Sequence, residues 1–325
     1  MNNLKSIPIR GKWFYILIVF PLFSLIFTFC RKDDENEGKE AEIISMLKEI
    51  NADSIKAHVT WLEAMGTRFA LADNHRSVAL RIRNKFIGMG YANASLDSFP
   101  INVTYKNVNY NQWQYNVIAV LNGTQYPDSA CILGSHYDDI VGTSGNAFTF
   151  APGAHDNASG TAATLEVARV MKNKGFEPDK SIVFIAFGAE ELGLMGSNSF
   201  SANPGQFGNK IAFVLNNDMI AYDPDKDPAT WKVNILDYPN SKGLRSFAEK
   251  QIVKYTGLGY INNNLYNKQS DSYPFSQRGY KALFFSSVET DPYYHTVSDT
   301  QSNLNFGYCR SVTMVSCAIL AEKNF

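Results

Sequence analysis

The run Ser181-Ile-Val-Phe-Ile-Ala-Phe187 is apolar at every position after the first and shows no polar alternation. Such a strand has no face to give to water, so it belongs in the middle of a sheet covered by helices on both sides. Cys131-Ile-Leu-Gly, Ile211-Ala-Phe-Val-Leu and Ala282-Leu-Phe-Phe are short runs of the same kind. Between and after them, helices are expected over Gly160 to Lys174, Gly243 to Tyr255 and Gly307 to Glu322. The chain is therefore expected to be α/β, a three-layer sandwich with a mixed, mostly parallel central sheet covered by helices on both faces. Upstream, helical spacing predicts helices over Ile43 to Ile50, over Ser54 to Met65 behind a cap at Asp53 or Ser54, and over Asn74 to Met89. Alternating stretches at Asp97 to Val108 and Tyr115 to Leu121 predict antiparallel edge strands.

The N-terminus reads as an export signal over residues 1–30. Lys5, Arg10 and Lys12 stand without an acid, and an apolar stretch from Trp13 to Phe29 is interrupted by Pro21 and Ser24. That stretch fits a cleaved signal and also an uncleaved anchor. Cys30 stands where the acceptor of a lipoprotein signal would, although Phe27 and Phe29 are bulkier than such a signal prefers. In each version the basic flank stays inside and the rest of the chain crosses the membrane. A charged linker over 31–41 leads into one expected domain, 42–325, with no Pro-rich or repetitive break. Setting aside Lys5, Arg10 and Lys12 from the 30 basic residues leaves 27 against 31 acidic ones, about −4 for the exported part, which argues against nucleic acid as a partner. Cys131, Cys309 and Cys317 match neither a disulfide framework nor a zinc motif and read as buried thiols.

Each apolar run is followed by potential metal ligands. Cys131-Ile-Leu-Gly-Ser leads into His136-Tyr-Asp138, and Phe184-Ile-Ala-Phe into Glu190-Glu191. Ile211 to Asn217 leads into Asp218, and Ala282-Leu-Phe-Phe, after a loop, into Tyr293-Tyr294-His295. The carboxyl ends of strands in open α/β sheets form the ligand-binding crevice, so these sets are expected to converge there. The loop Pro152-Gly-Ala-His155-Asp156-Asn157 adds a carboxylate just before a helix. Carboxylates so crowded stay ionised only if cations neutralise them. Imidazole and carboxylate donors without thiolate suit zinc, manganese or cobalt.

Gly-Ser-His136-Tyr-Asp138, Pro-Gly-Ala-His-Asp156-Asn-Ala-Ser-Gly, Ala-Phe-Gly-Ala-Glu190-Glu191-Leu-Gly, Asn-Asn-Asp218-Met and Tyr-Tyr294-His295-Thr occur in this order. Together they resemble the secreted bacterial leucyl-aminopeptidase type of co-catalytic dizinc exopeptidases, whose relatives include glutaminyl cyclases and glutamate carboxypeptidases. Weaker likeness extends upstream through Gly66-Thr-Arg68 and Asn116-Val-Ile-Ala. The resemblance implies two Zn2+ per chain, with His136 and Asp218 on one ion, Glu191 and His295 on the other, and Asp156 bridging. It implies hydrolysis of N-terminal peptide bonds by a zinc-bridged hydroxide, with Glu190 as general base, Tyr294 on the oxyanion and Asp138 orienting His136 from behind the ligand atoms. It also implies a cis bond between Asp156 and Asn157. The partners it implies are peptide or protein N-termini; no nucleic acid is expected from the charge, membrane contact is expected only through the N-terminal segment, and the chain is expected to be a monomer.

Taken singly, every one of these residues has an ordinary reading. Glu190 and Glu191 suit the positive end of a helix starting there, Asp156 a helix cap, Asp218 a turn, and a lone His136 or His295 a structural role. Their order at successive strand ends is what ordinary readings leave unexplained. A single-zinc cyclase, a carboxypeptidase and a non-catalytic binding domain remain as alternatives. His58 and His75 lie away from the motifs and read as surface or packing residues. His155 stands where the resembled family often has an acid or amide, and Ser272 stands where it usually has histidine.

Overall fold

The computed structural model describes residues 37–324, so the expected signal, Cys30 and most of the linker lie outside the described residues. Residues 43–325 group as one compact unit. Within it, the 43–49 part of α1 (helical over the described residues 37–49), α2 (Ala52–Glu63) and α3 (His75–Gly88) precede a long hairpin of β1 (Ser95–Tyr105) and β2 (Val108–Leu121). Then follow β3 (Tyr126–His136), α4 (Ser159–Asn173), β4 (Lys180–Phe187), α5 (Met195–Ala202), β5 (Ile211–Asn217), β6 (Lys232–Leu236) and α6 (Lys242–Tyr255). β7 (Gly259–Ile261), α7 (Ser272–Gln277), β8 (Ala282–Ser287) and α8 (Phe306–Glu322) complete the chain.

The strands form one eight-stranded sheet in the order β1-β2-β4-β3-β5-β8-β6-β7. Its centre, β4-β3-β5-β8, is parallel, and antiparallel pairs flank it. The continuous apolar runs have the expected cause. In β4, Ile182, Phe184 and Ala186 enter the core on one face, while Val183, Ile185 and Phe187 enter the core on the other. Full burial of each large side chain contributes roughly 1.5–3 kcal/mol, so neither face of β4 tolerates polarity. On the first face α4 packs against β3, β4 and β5, with α2 and α8 beside it; on the second, α7 packs against β5 and β8 and touches α5. Cys131, Cys309 and Cys317 are free, buried thiols.

Several expected boundaries are corrected. The cap of α2 is Asn51, whose side-chain oxygen accepts from the N–H groups of Asp53 and Ser54. The first edge strand ends at Tyr105 because Lys106 and Asn107 both take positive φ, 47° and 63°, the conformation of a tight hairpin turn. No helix begins at Glu190: that residue lies in a turn, and α5 starts at Met195. Among the described residues no helix is long and apolar enough to cross a membrane.

His58 is a packing residue on α2, buried, with neither ring nitrogen hydrogen-bonded among the described residues. Burial, aided by Lys85, lowers its pKa to about 4 from 6.5. Below pH 4 both folded and unfolded chains carry the proton, and above 6.5 neither does. Between these values the unfolded chain binds more protons, so stability falls with acidification by up to ~3 kcal/mol from this group. Denaturant titrations at pH 4 and pH 7 are expected to show that His58→Leu gains that much relative to wild type on going from pH 7 to pH 4. A pH-independent difference would remove His58 from the account.

Candidate active site

His136 is the last residue of β3, and Asp218 directly follows β5, its N–H donating to the Phe285 carbonyl of β8 at 3.1 Å. Glu190 and Glu191 lie in the turn after β4, and His295 in the loop after β8. Asp156 sits in the short segment Ala154–Ala158 that runs into α4, where its own backbone, at φ −111° and ψ 94°, is kinked out of helical geometry. The carboxyl ends of four parallel strands thus face one crevice. The bond between Asp156 and Asn157 is cis, as the motif likeness implied. Gly160 has no room for a side chain, since a Cβ there would meet the Asn217 carbonyl oxygen and the Asn157 side chain.

His136 Nε2 lies 3.2 Å from Asp156 Oδ1 and 3.2 Å from Asp218 Oδ1. His295 Nε2 lies 3.1 Å from Asp156 Oδ2 and 3.1 Å from both Glu191 oxygens. Each triplet offers ligand atoms within 4.8 Å of one another. The carboxylate of Asp156 therefore gives one oxygen to each triplet, the arrangement of a bridging ligand. Glu190 stands further back, with Oε2 4.0 Å from His136 Nε2, although it also lies close enough to His136 and Glu191 to form a third grouping.

The electrostatics fit bound cations. Burial would raise Asp156, but hydrogen bonds from His136 and His295 outweigh it and hold the carboxyl well below its usual range. Burial pushes Glu190 far up, His136 opposing and Glu191, Asp271 and Asp218 adding to it. Burial and the Asp156 charge push Glu191 to about 8 against His295. Burial would lower both imidazoles, yet Asp218 and Glu190 raise His136, and hydrogen bonds with Asp156 and Glu191 raise His295 to about 10. These shifts favour protons on the imidazole and carboxyl groups, and divalent cations would displace those protons. Nitrogen and oxygen donors of this kind, with a shared carboxylate, fit zinc.

The surroundings refine the expected roles. Asp138 meets His136 Nδ1 through its main-chain carbonyl at 3.1 Å, its carboxylate standing 3.8 Å away. That carboxylate instead accepts the N–H groups of Glu190 and Glu191 at 3.0 and 3.3 Å. Tyr294 lines the cleft with its ring stacked on His295, centroids 3.8 Å apart. Ser272 is buried and bonds the Tyr238 hydroxyl at 2.9 Å, and its neighbour Ser270 donates to Asp218 Oδ2 at 2.5 Å. Asn116 holds the loop of the two glutamates by bonds to Gly188 N–H and the Gly196 carbonyl. Arg68, from the weaker Gly66-Thr-Arg68 likeness, ties the site loops together with Asp139 and Asp299, which the motifs did not single out. Ala189, Met219 and His295 take left-handed φ of 58°, 55° and 55°, a backbone cost that surrounding contacts must offset.

The crevice opens into a cleft of about 890 Å³. Met219, Leu236, Ile261 and Phe284 give it an apolar lining, and Lys268 and Arg278 lie on its wall as well. A concave cleft of mixed polar and apolar lining, ending in a two-centre donor set, defines the class: a metal-dependent hydrolase on an α/β sandwich. Comparison with known proteins narrows it. Residues 116–320 match the model of peptidase family M28. A probable aminopeptidase of Saccharomyces cerevisiae is 25% identical over 85% of this chain and 74% of its own length. Aminopeptidase YwaD of Bacillus subtilis is 33% identical over 60% of this chain and 41% of its own length. The crystal structure of LapB from Legionella pneumophila superposes with a TM-score of 0.72 and 26% identity, covering 88% of this chain and 75% of that one. The chain belongs to peptidase family M28 and is a zinc-dependent peptidase.

Proposed function

We propose that this peptidase is an aminopeptidase that binds two zinc ions per chain and removes residues from free peptide N-termini. The observation that carries the reading is Asp156, whose two carboxylate oxygens face two separate histidine-carboxylate sets. His136, Asp156 and Asp218 would hold one ion and Asp156, Glu191 and His295 the other. Bound zinc supplies Lewis acidity, polarising a carbonyl and acidifying water near neutral pH.

The chain's own residues do the rest. Glu190, beside but behind the ligand atoms, accepts the proton of the attacking water and passes it to the leaving amine; its burial favours the protonated form it must hold between those steps. Tyr294, which lines the cleft and stacks on His295, would donate to the developing oxyanion. The Asp138 carboxylate fixes the backbone of both glutamates, so the base and its neighbouring ligand keep separate positions. Relatives named aminopeptidases support the exopeptidase assignment. The basic flank and apolar stretch before Cys30 support action outside the cytoplasmic membrane.

Leucyl peptides, N-acetylated leucyl peptides and N-terminal glutaminyl peptides, assayed with zinc analysis on the same sample, test the reading. Release of leucine only from free N-termini is expected, lost on chelation, regained with zinc, at two ions per chain. Removal of C-terminal residues from the acetylated peptides would overturn it, as would pyroglutamyl product from the glutaminyl ones.

A further inference from the structure

We propose that His155 and Asp291 form a positioning pair that sets how tightly the second metal position, made by Asp156, Glu191 and His295, holds its ion. The inference rests on the two-zinc reading above. The two positions differ in what fixes them. His136 ends a central strand and Asp218 immediately follows one, so the parallel sheet itself places the first position. Glu191 and His295 stand in loops, and His295 is in a left-handed backbone conformation. The second position therefore needs contacts beyond the sheet.

Those contacts run between the turn that carries Asp156 and the loop that carries His295. The His155 ring is fully buried, and its Nδ1 lies 2.8 Å from Asp291 Oδ2. Asp291 Oδ1 accepts the N–H of Tyr293 at 2.8 Å, fixing the turn two residues before His295. The other ring nitrogen, Nε2, lies 3.3 Å from Ser287 Oγ at the end of β8. One imidazole thus joins the strand end, the loop that leaves it and the residue next to the bridging carboxylate. Asp299 adds a main-chain clamp, its carboxylate accepting the N–H groups of His155 at 2.7 Å and Asp156 at 3.0 Å. The clamp sets the path of the turn, and the His155–Asp291 contact sets its separation from the His295 loop. His155 offers no atom to either triplet, so it acts through Asp156 and His295. Outer partners that orient ligands typically change metal affinity by about 10- to 100-fold.

The test is the zinc content of wild type, His155→Leu, His155→Asn and Asp291→Asn after equilibration in buffers of graded free zinc, followed by the visible spectrum of the cobalt-substituted forms. An asparagine amide nitrogen takes the place of Nδ1 and keeps the donor to Asp291. Wild type is expected to hold two ions. His155→Leu is expected to lose the second at a free-zinc concentration at least about tenfold higher than wild type, keeping the first, with an altered cobalt spectrum. His155→Asn should stay within about threefold of wild type, and Asp291→Asn should weaken the second ion several-fold. If His155→Leu does not fold, as judged by circular dichroism, Asp291→Asn decides. Two ions held as tightly in the variants as in wild type overturn this inference alone, and so does equal weakening of both ions. A wild type that holds one ion at saturating zinc overturns the two-zinc reading, and this inference with it.

Discussion

Glu190→Gln is expected to lower kcat by ~10²–10⁴-fold, the usual contribution of a positioned acid-base group, while zinc content stays at the wild-type value. The amide keeps the size and polarity of the side chain but cannot accept and return a proton. Glu190 and Glu191 are adjacent, yet the structure separates them: Glu191 lies 3.1 Å from His295 within a ligand triplet, whereas Glu190 is 4.0 Å from His136. Glu190 also belongs to a grouping with His136 and Glu191, so a ligand role is the competing account, and it makes the opposite forecast for metal content. Steady-state kinetics and metal analysis on one preparation distinguish them. Near-wild-type turnover would remove Glu190 as the base, and loss of an ion together with activity would make it a ligand. Glu191→Gln serves as the comparison, expected to lose an ion as well as rate.

What could be read from the residues and what could not divide along a physical line. The central strands were legible because both their faces are covered, which writes an uninterrupted apolar run such as Ile182 to Phe187 into the chain. The residues facing the crevice were legible because each follows such a run. β6, Lys-Val-Asn-Ile-Leu, and the three-residue β7 escaped notice since short strands with polar members resemble loops. The six-residue α7 and the eight-residue α5 are too brief to show a helical period. The support of the site was hidden for a different reason. Arg68 to Asp139, His155 to Asp299 and Ser270 to Asp218 are contacts across 71, 144 and 52 residues of chain. Nothing local in the sequence marks them, because the fold alone brings those partners together. For the same reason the Asp138 carboxylate could be placed near His136 but not assigned to the main chain of the two glutamates.

Arg68→Met is expected to destabilise the metal-free protein by ~3–5 kcal/mol, the cost of leaving a buried charge without its partner. Arg68 is 1% exposed and Asp139 is fully buried. The guanidinium Nη1 stands 3.1 Å from Asp139 Oδ2, and the Arg68 N–H donates to Oδ1 at 2.9 Å. The same fork donates to the carbonyls of Tyr137 at 2.8 Å, Pro152 at 2.9 Å and Gly153 at 2.8 Å. One side chain thus joins the segment after His136 to the turn before Asp156, with Asp139 pushed by burial to about 7 even though Arg68 pulls it down. Removing the cation leaves Asp139 facing burial alone and frees three carbonyls at once. Arg68→Lys should recover only part of the loss, since an ammonium cannot reproduce the planar fork. Arg68→Met combined with Asp139→Leu should recover most of it, because replacing a buried ion pair with apolar groups is often close to neutral. Urea unfolding of the three variants without zinc measures these differences apart from metal affinity. A double variant as unstable as Arg68→Met would show that the lost carbonyl bonds, rather than the stranded carboxylate, carry the cost.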